Sequence, residues 1–166
     1  MIYKAVREKH PEITVVGTVG PFYEGTDYAE GWRLATEMGV PMVDEHYYVD
    51  PGWMMHNQDY YDRYDRTKSK VYLGEYAAHL PGRPNNIETA LAEALYLTSV
   101  ERNADVVHMA TYAPLFAHVE GWQWRPDLIW FDNLNSVRTC SYYVQQLYSH
   151  NKGTHVLPLT MDKKAV

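Results

Sequence analysis

The sequence predicts an α/β fold, and three observations carry the prediction. Short runs of β-branched and aromatic residues alternate with segments of helical pattern along the whole chain. Polar residues capable of chemistry gather where those runs end. The 166 residues, 46% hydrophobic and 22% charged, suffice for one domain with a real core. They fall short of the ~250 that a complete eight-stranded α/β barrel typically needs. A small open parallel sheet and half of a barrel both fit. Either places functional residues at the carboxyl ends of the strands and in the loops that follow.

Residues 1–10 read as the tail of a helix that ends at His10-Pro11. The run ITVVGTV, 13–19, reads as a buried strand closed by Gly20-Pro21. Residues 26–38 form a helix, with Thr26 or Asp27 as N-cap and Gly39 just past its end. After Pro41, MVDEHYYV is a second strand, and 54–67 reads as a polar, Tyr-rich helix. KVYLGEYA, 70–77, is a third strand. Residues 86–103 give the strongest helical pattern, with Leu91, Ala94, Leu95 and Thr98 in register and Asn86 or Thr89 as cap. DVVHMATY, 105–112, is a fourth strand, followed by a loop over 113–135 rich in Trp, Pro and Asp. A last helix covers 138–150, and THVLPLT, 154–160, looks like the start of another β element.

Composition excludes several classes. The net charge of −6, from 21 acidic and 15 basic residues, argues against a nucleic-acid partner. The charge run at 59–70 mixes both signs and reads as a solvated helix face. No apolar run reaches the ~18 residues that a membrane-spanning helix needs. Cys140 is the single cysteine, so no internal disulfide and no cysteine-based zinc site is expected. The first residues lack an apolar core and a small-residue cleavage site, so they are not a signal peptide. Extracellular, periplasmic and cytoplasmic locations all stay open. Fifteen Tyr and five Trp stand against three Phe. Flat rings with polar tips suit a sugar-binding cleft and equally a wet protein interface.

Glu75 is the sharpest candidate. A carboxylate within an apolar strand is costly to bury unless it is paired or used. Gly74 before it would let a ligand or another backbone approach closely. So placed, Glu75 suits a nucleophile or general acid/base of glycoside hydrolysis. The structural alternative is an ion pair with Arg63 or Arg66. His46 and Tyr48, two apart on a strand, share a face, where they can reach Glu75 and a sugar hydroxyl. The alternative is a satisfied core His and a packed Tyr. Asp44 and Glu45 flank His46, but adjacent strand residues face opposite ways, which disfavours a metal site. No glycine-rich phosphate loop and no GxSxG elbow occurs.

Five stretches place the chain further: VDEHYYVDPGW (43–53), YDRYDR (61–66), KVYLGEYA (70–77), ALAEALYLTSVERNADVVHMATYAPLF (90–116) and WRPDLIWFD (124–132). Together they strongly resemble the α-L-arabinofuranosidases of glycoside hydrolase family 51, almost from end to end. The resemblance implies a (β/α)8 TIM-type barrel followed by a β-sandwich. Strands 13–19, 42–49, 70–77 and 105–112 then correspond to barrel strands five to eight. On this basis 1–155 is the second half of the catalytic barrel, and 156–166 is the start of the C-terminal β-sandwich or a linker.

The resemblance also implies the chemistry. Retaining removal of terminal α-L-arabinofuranosyl groups from arabinan or arabinoxylan would use Glu75 as the nucleophile. His46 and Tyr48 match the sugar-pocket His-x-Tyr pair, and Tyr48 can hold Glu75 by donating a hydrogen bond. Trp53, Trp122 and Trp124, in loops after strands, are candidates to stack on neighbouring sugars. The family's acid/base Glu follows an Asn at the end of the fourth strand, and no Asn-Glu pair occurs in these 166 residues. The expected partners are an arabinose-containing polysaccharide or oligosaccharide, the N-terminal half of the barrel, and a second copy of the chain, because open sheet edges favour self-association. No metal or organic cofactor is implied. A non-catalytic carbohydrate-binding or structural half-barrel, or another retaining glycosidase on the same barrel type, remains the alternative.

Overall fold

A computed structural model describes residues 2–158. The elements run α1 (Ile2–Lys9), β1 (Val16–Thr18), α2 (Thr26–Met38), β2 (Met42–Val49), α3 (Pro51–His56), β3 (Lys70–Ala78), α4 (Ile87–Arg102), β4 (Val107–Tyr112), β5 (Phe116–His118), β6 (Ile129–Phe131), β7 (Ser136–Arg138) and α5 (Cys140–His150). The first four strands form one parallel sheet in the order β1-β2-β3-β4. This is the α/β architecture that the alternation implied. Among the described residues no helix is long and apolar enough to cross a membrane.

The two faces of this sheet differ. Val43, Glu45, Tyr47 and Val49 of β2 and Val71, Leu73 and Tyr76 of β3 are buried. They face the helical layer, where Tyr47 packs against Trp53 of α3 and Tyr96 of α4. The strict alternation of β2 turns Asp44, His46 and Tyr48 to the opposite, half-open face. On β4 that open side includes Met109, which is 46% exposed.

Local chemistry explains most boundaries. Asn86 caps α4 through a capping box: its side chain accepts from Thr89 N, and Thr89 Oγ1 accepts from Asn86 N. Thr139 caps α5 by accepting from Tyr142 N. Gly39 ends α2 with φ 63°, the left-handed geometry that glycine adopts without penalty.

Four local expectations are corrected. The α2 N-cap is Gly25, and no side chain caps the helix there, so neither Thr26 nor Asp27 has that role. The first strand is shorter than 13–19, because β1 is an edge that pairs only where Val16–Thr18 meets β2. The helix expected over 54–67 is broken. Pro51 starts α3 under an Asp50 cap, and both the Asn57 amide and its side chain bond back to Trp53 O. Beyond a single 3-10 turn at Tyr61–Arg63, the chain coils around the Arg66 guanidinium, which donates to the carbonyls of Tyr61, Asp62 and Tyr64. The expected loop 113–135 contains β5 and β6, which with β7 form a small second sheet. Strands of three residues are too short to show a period. No strand appears over 154–158, and the rest of the β element expected at 154–160 lies outside the described residues.

The tyrosine surplus is largely core. Tyr47, Tyr61, Tyr76 and Tyr96 are among the largest fully buried side chains. Glu45, also fully buried, accepts from the hydroxyls of Tyr28, Tyr47 and Tyr64 and from Trp32 Nε1, at 2.8–3.0 Å. Burial pushes this carboxyl up, and the four donors pull it back.

Candidate active site

The site starts with an irregularity in β3. In the pairing of β2 with β3, Glu45 stands opposite Leu73, and His46 stands opposite Glu75. Gly74 is the extra residue, a β-bulge. Without it, strict alternation would send Glu75 to the helical face with Val71 and Leu73. With it, Gly74 and Glu75 both face the open side, and Tyr76 resumes the buried series.

The bulge brings Glu75 against β2. Tyr48 Oη donates to Glu75 Oε2 at 2.5 Å, and His46 Nδ1 lies 3.4 Å from the same oxygen. Among the described residues Oε1 has no hydrogen-bond partner. The ion pair with Arg63 or Arg66 does not form. Arg63 pairs with Asp59, and Arg66 pairs with Asp105 and Asn103. His46 lines the cleft, and its Nε2 donates to Asp44 Oδ2 at 3.0 Å. That bond, with the charges of Asp44 and Glu75, raises the imidazole pKa against the opposing effect of burial. Burial and the adjoining Glu75 carboxylate raise the Tyr48 hydroxyl well above its ordinary value, so it is a donor at any working pH.

Gly74 makes room, but not for a ligand or a backbone. A Cβ at 74 would lie 1.9 Å from Asp44 Oδ1. The missing side chain is the seat of the Asp44 carboxylate.

His46, Tyr48 and Glu75 line a cleft of about 520 Å³. Phe22 and Pro21 wall it from the β1–α2 loop, and Pro114 and Trp124 wall it from the segment after β4. His79 stacks on Tyr48, with ring centroids 5.2 Å apart. Burial and the nearby Arg83 hold the His79 imidazole down at about 4, so it is neutral here. Arg83 and Arg125 supply positive charge to the lining.

The three tryptophans have three fates. Trp124 lines the cleft and is 58% exposed. Trp122 stands one step back, with the Arg125 guanidinium over its ring at 4.3 Å. Trp53 is corrected: it sits within the helical layer, against Tyr23 at 5.0 Å and Tyr60 at 5.3 Å, away from the cleft. The first turn of α3 carries it inward. Asp44, His79, Arg83 and Arg125 were not singled out for a role in sugar chemistry. Asp44 was legible, since it lies two residues before His46 on the same strand face. The others depend on loop paths that no local pattern encodes. Among the described residues no group of three or more His, Cys, Asp or Glu is placed to hold a metal ion.

A strand-end carboxylate with one oxygen hydrogen-bonded and the other open within an aromatic cleft makes this an α/β protein with a candidate carboxylate site of the kind glycoside hydrolysis uses. Comparison with known proteins narrows the class. Residues 53–166 match the sequence model of the α-L-arabinofuranosidase C-terminal domain. An extracellular exo-α-L-arabinofuranosidase of Streptomyces chartreusis is 47% identical over 154 residues, covering 93% of this chain and 18% of that protein. A probable α-L-arabinofuranosidase A of Aspergillus terreus is 36% identical over 162 residues, covering 96% of this chain and 24% of that protein. The solved structure of the arabinose-bound MgGH51 α-L-arabinofuranosidase superposes with a TM-score of 0.83 at 29% identity, covering 97% of this chain and 26% of that one. The chain belongs to the α-L-arabinofuranosidases of glycoside hydrolase family 51 and corresponds to a C-terminal part of them. It spans about a quarter or less of the length of these relatives.

Proposed function

We propose that this chain carries the nucleophile side of the active site of a retaining α-L-arabinofuranosidase. The observation that carries the reading is the clamp on Glu75. Its Oε2 accepts from Tyr48 and lies 3.4 Å from His46 Nδ1, while Oε1 has no partner among the described residues. Oε1 attacks the anomeric carbon of a terminal arabinofuranosyl group. The glycosidic bond breaks, and a second carboxylic acid protonates the leaving oxygen. The product is an arabinosyl ester on Glu75. Water, deprotonated by that second carboxylate, then displaces it with overall retention. The structural relative is an arabinose-bound α-L-arabinofuranosidase, which supports arabinose as the sugar transferred. Trp124 offers a face for the next sugar of an arabinan or arabinoxylan chain.

Retention needs the two carboxyls ~5 Å apart. The second carboxyl belongs to residues N-terminal to this segment in the full-length protein. The four parallel strands are accordingly assigned to the second half of a (β/α)8 barrel. Helices on one face and a half-open face bearing the site support that assignment. Residues 156–166, assigned to a linker or the start of a β-sandwich, lie mostly outside the described residues.

The test is Glu75→Gln in the full-length polypeptide, assayed with aryl α-L-arabinofuranosides beside the matching xylosides and glucosides. Turnover is expected to fall by roughly 10³-fold or more. Mass spectrometry of the unmodified enzyme during turnover is expected to find the arabinosyl adduct on Glu75. Wild-type-like turnover by Glu75→Gln defeats the assignment, and a preference for xylosides or glucosides replaces the substrate.

A further inference from the structure

The nucleophile's clamp has a support of its own. His46 lies between two carboxylates, with Nε2 at 3.0 Å from Asp44 Oδ2 and Nδ1 at 3.4 Å from Glu75 Oε2. A carboxylate oxygen only accepts, so both contacts are favourable only when the ring carries a proton on each nitrogen. A neutral ring would turn a lone pair on one of the two oxygens. Asp44 is built into this place. Its neighbours in β1 and β3 fix its backbone, with Thr18 opposite on one side and Tyr72 on the other. Its Oδ1 fills the space where residue 74 has no side chain.

We propose that Asp44 is a positioning residue for the nucleophile: it holds His46 as the imidazolium, whose Nδ1–H then aligns Glu75 Oε2 and leaves Oε1 to attack. The inference rests on Glu75 being that nucleophile. Glu75 trades its charge for an ester bond during glycosylation, and Asp44 keeps an anion on the imidazolium throughout the cycle. The other titratable or charged groups on the cleft are Tyr48, His79, Arg83 and Arg125. Residues Val16–Thr18 of β1 contribute none. Tyr48 and His79 are neutral across the working range. His46 and Asp127 are then the groups here whose charge changes near neutrality: Asp127, which acts on Tyr48 from the segment before β6, is pushed up by burial to about 6, and only His46 touches both Asp44 and Glu75.

The pH dependence of kcat/KM in the full-length protein tests this. An aryl arabinofuranoside with a strongly acidic phenol as leaving group removes the need for a general acid. The alkaline limb then reports His46 rather than the second carboxyl. Asp44→Asn keeps the shape and removes the anion. The limb is expected to move to lower pH by about one pH unit, the scale on which a neighbouring opposite charge acts. The loss is expected in kcat more than in KM. His46→Gln, which keeps a donor but cannot titrate, is expected to lose the limb altogether. A limb that stays in place in Asp44→Asn, or persists in His46→Gln, overturns the proposal. Glu75→Gln run alongside separates the two readings. If it is inactive while the limb does not move, Asp44 alone is misassigned. If it is active, the nucleophile is.

Discussion

Gly74→Ala is the smallest change that should reach the chemistry. A Cβ there would stand 1.9 Å from Asp44 Oδ1 and 2.9 Å from its Cγ. No side chain tolerates such contacts, and the pairing of β2 on both sides prevents its backbone from retreating. The Asp44 side chain must rotate out and release His46. The displaced partner is a hydrogen bond between charged groups, worth about 1.5–3 kcal/mol. If that support is felt in the transition state, kcat/KM falls by roughly 10- to 100-fold. The assay is kcat/KM on an aryl α-L-arabinofuranoside for Gly74→Ala, Asp44→Ala and the double variant of the full-length protein. Both substitutions remove the Asp44 carboxylate from the same seat, so the double variant should lose no more than the worse single one. Losses that multiply, or wild-type activity in Gly74→Ala, would refute the reasoning.

Two further predictions concern stability and assembly. Glu93, buried in α4, accepts from Ala78 N, and burial pushes its carboxyl up to about 7. A folded value above the ordinary 4.5 favours the fold below that pH, and the advantage is lost as pH rises through about 7. The Tm difference between wild type and Glu93→Gln should therefore drift across pH 5–8, in favour of the variant at the alkaline end, and a constant difference would contradict the assignment. The chain of 166 residues studied alone should associate at micromolar concentration, because β1 and β4 are open edges among the described residues and Met109 lies half-exposed beside one of them. Sedimentation velocity showing a clean monomer would contradict it.

The elements that could be read from the sequence were those that carry their own signals. Helix α4 announces itself through Asn86, Thr89 and its apolar spacing, and β2 through an unbroken alternation of faces. Elements made by long-range contact were not readable. The break between α3 and the 3-10 turn depends on Arg66 gathering three carbonyls of the preceding turn. The β5-β6-β7 sheet joins strands of three residues each, held mainly by one another. Aromatic composition misleads for a related reason. It records how many rings there are, not whether a ring faces a sugar or, like Trp53, the core.

The two strand carboxylates show how far residue type alone can go. Glu45 and Glu75 both interrupt apolar strands, and the cost of burial marks both as paired or used. Glu45 is paired: four donors surround it, and none of its capacity faces the cleft. Glu75 has a clamp on one oxygen and open space at the other. Alternation alone would have put Glu75 on the helical face beside Leu73 and left Tyr76 at the cleft. The exchange depends on one inserted residue, and only glycine fits there, because Asp44 already occupies the space. The pair Gly74-Glu75 is therefore one device. The glycine turns the carboxylate toward the cleft and, in the same step, opens the seat for the anion that holds its clamp.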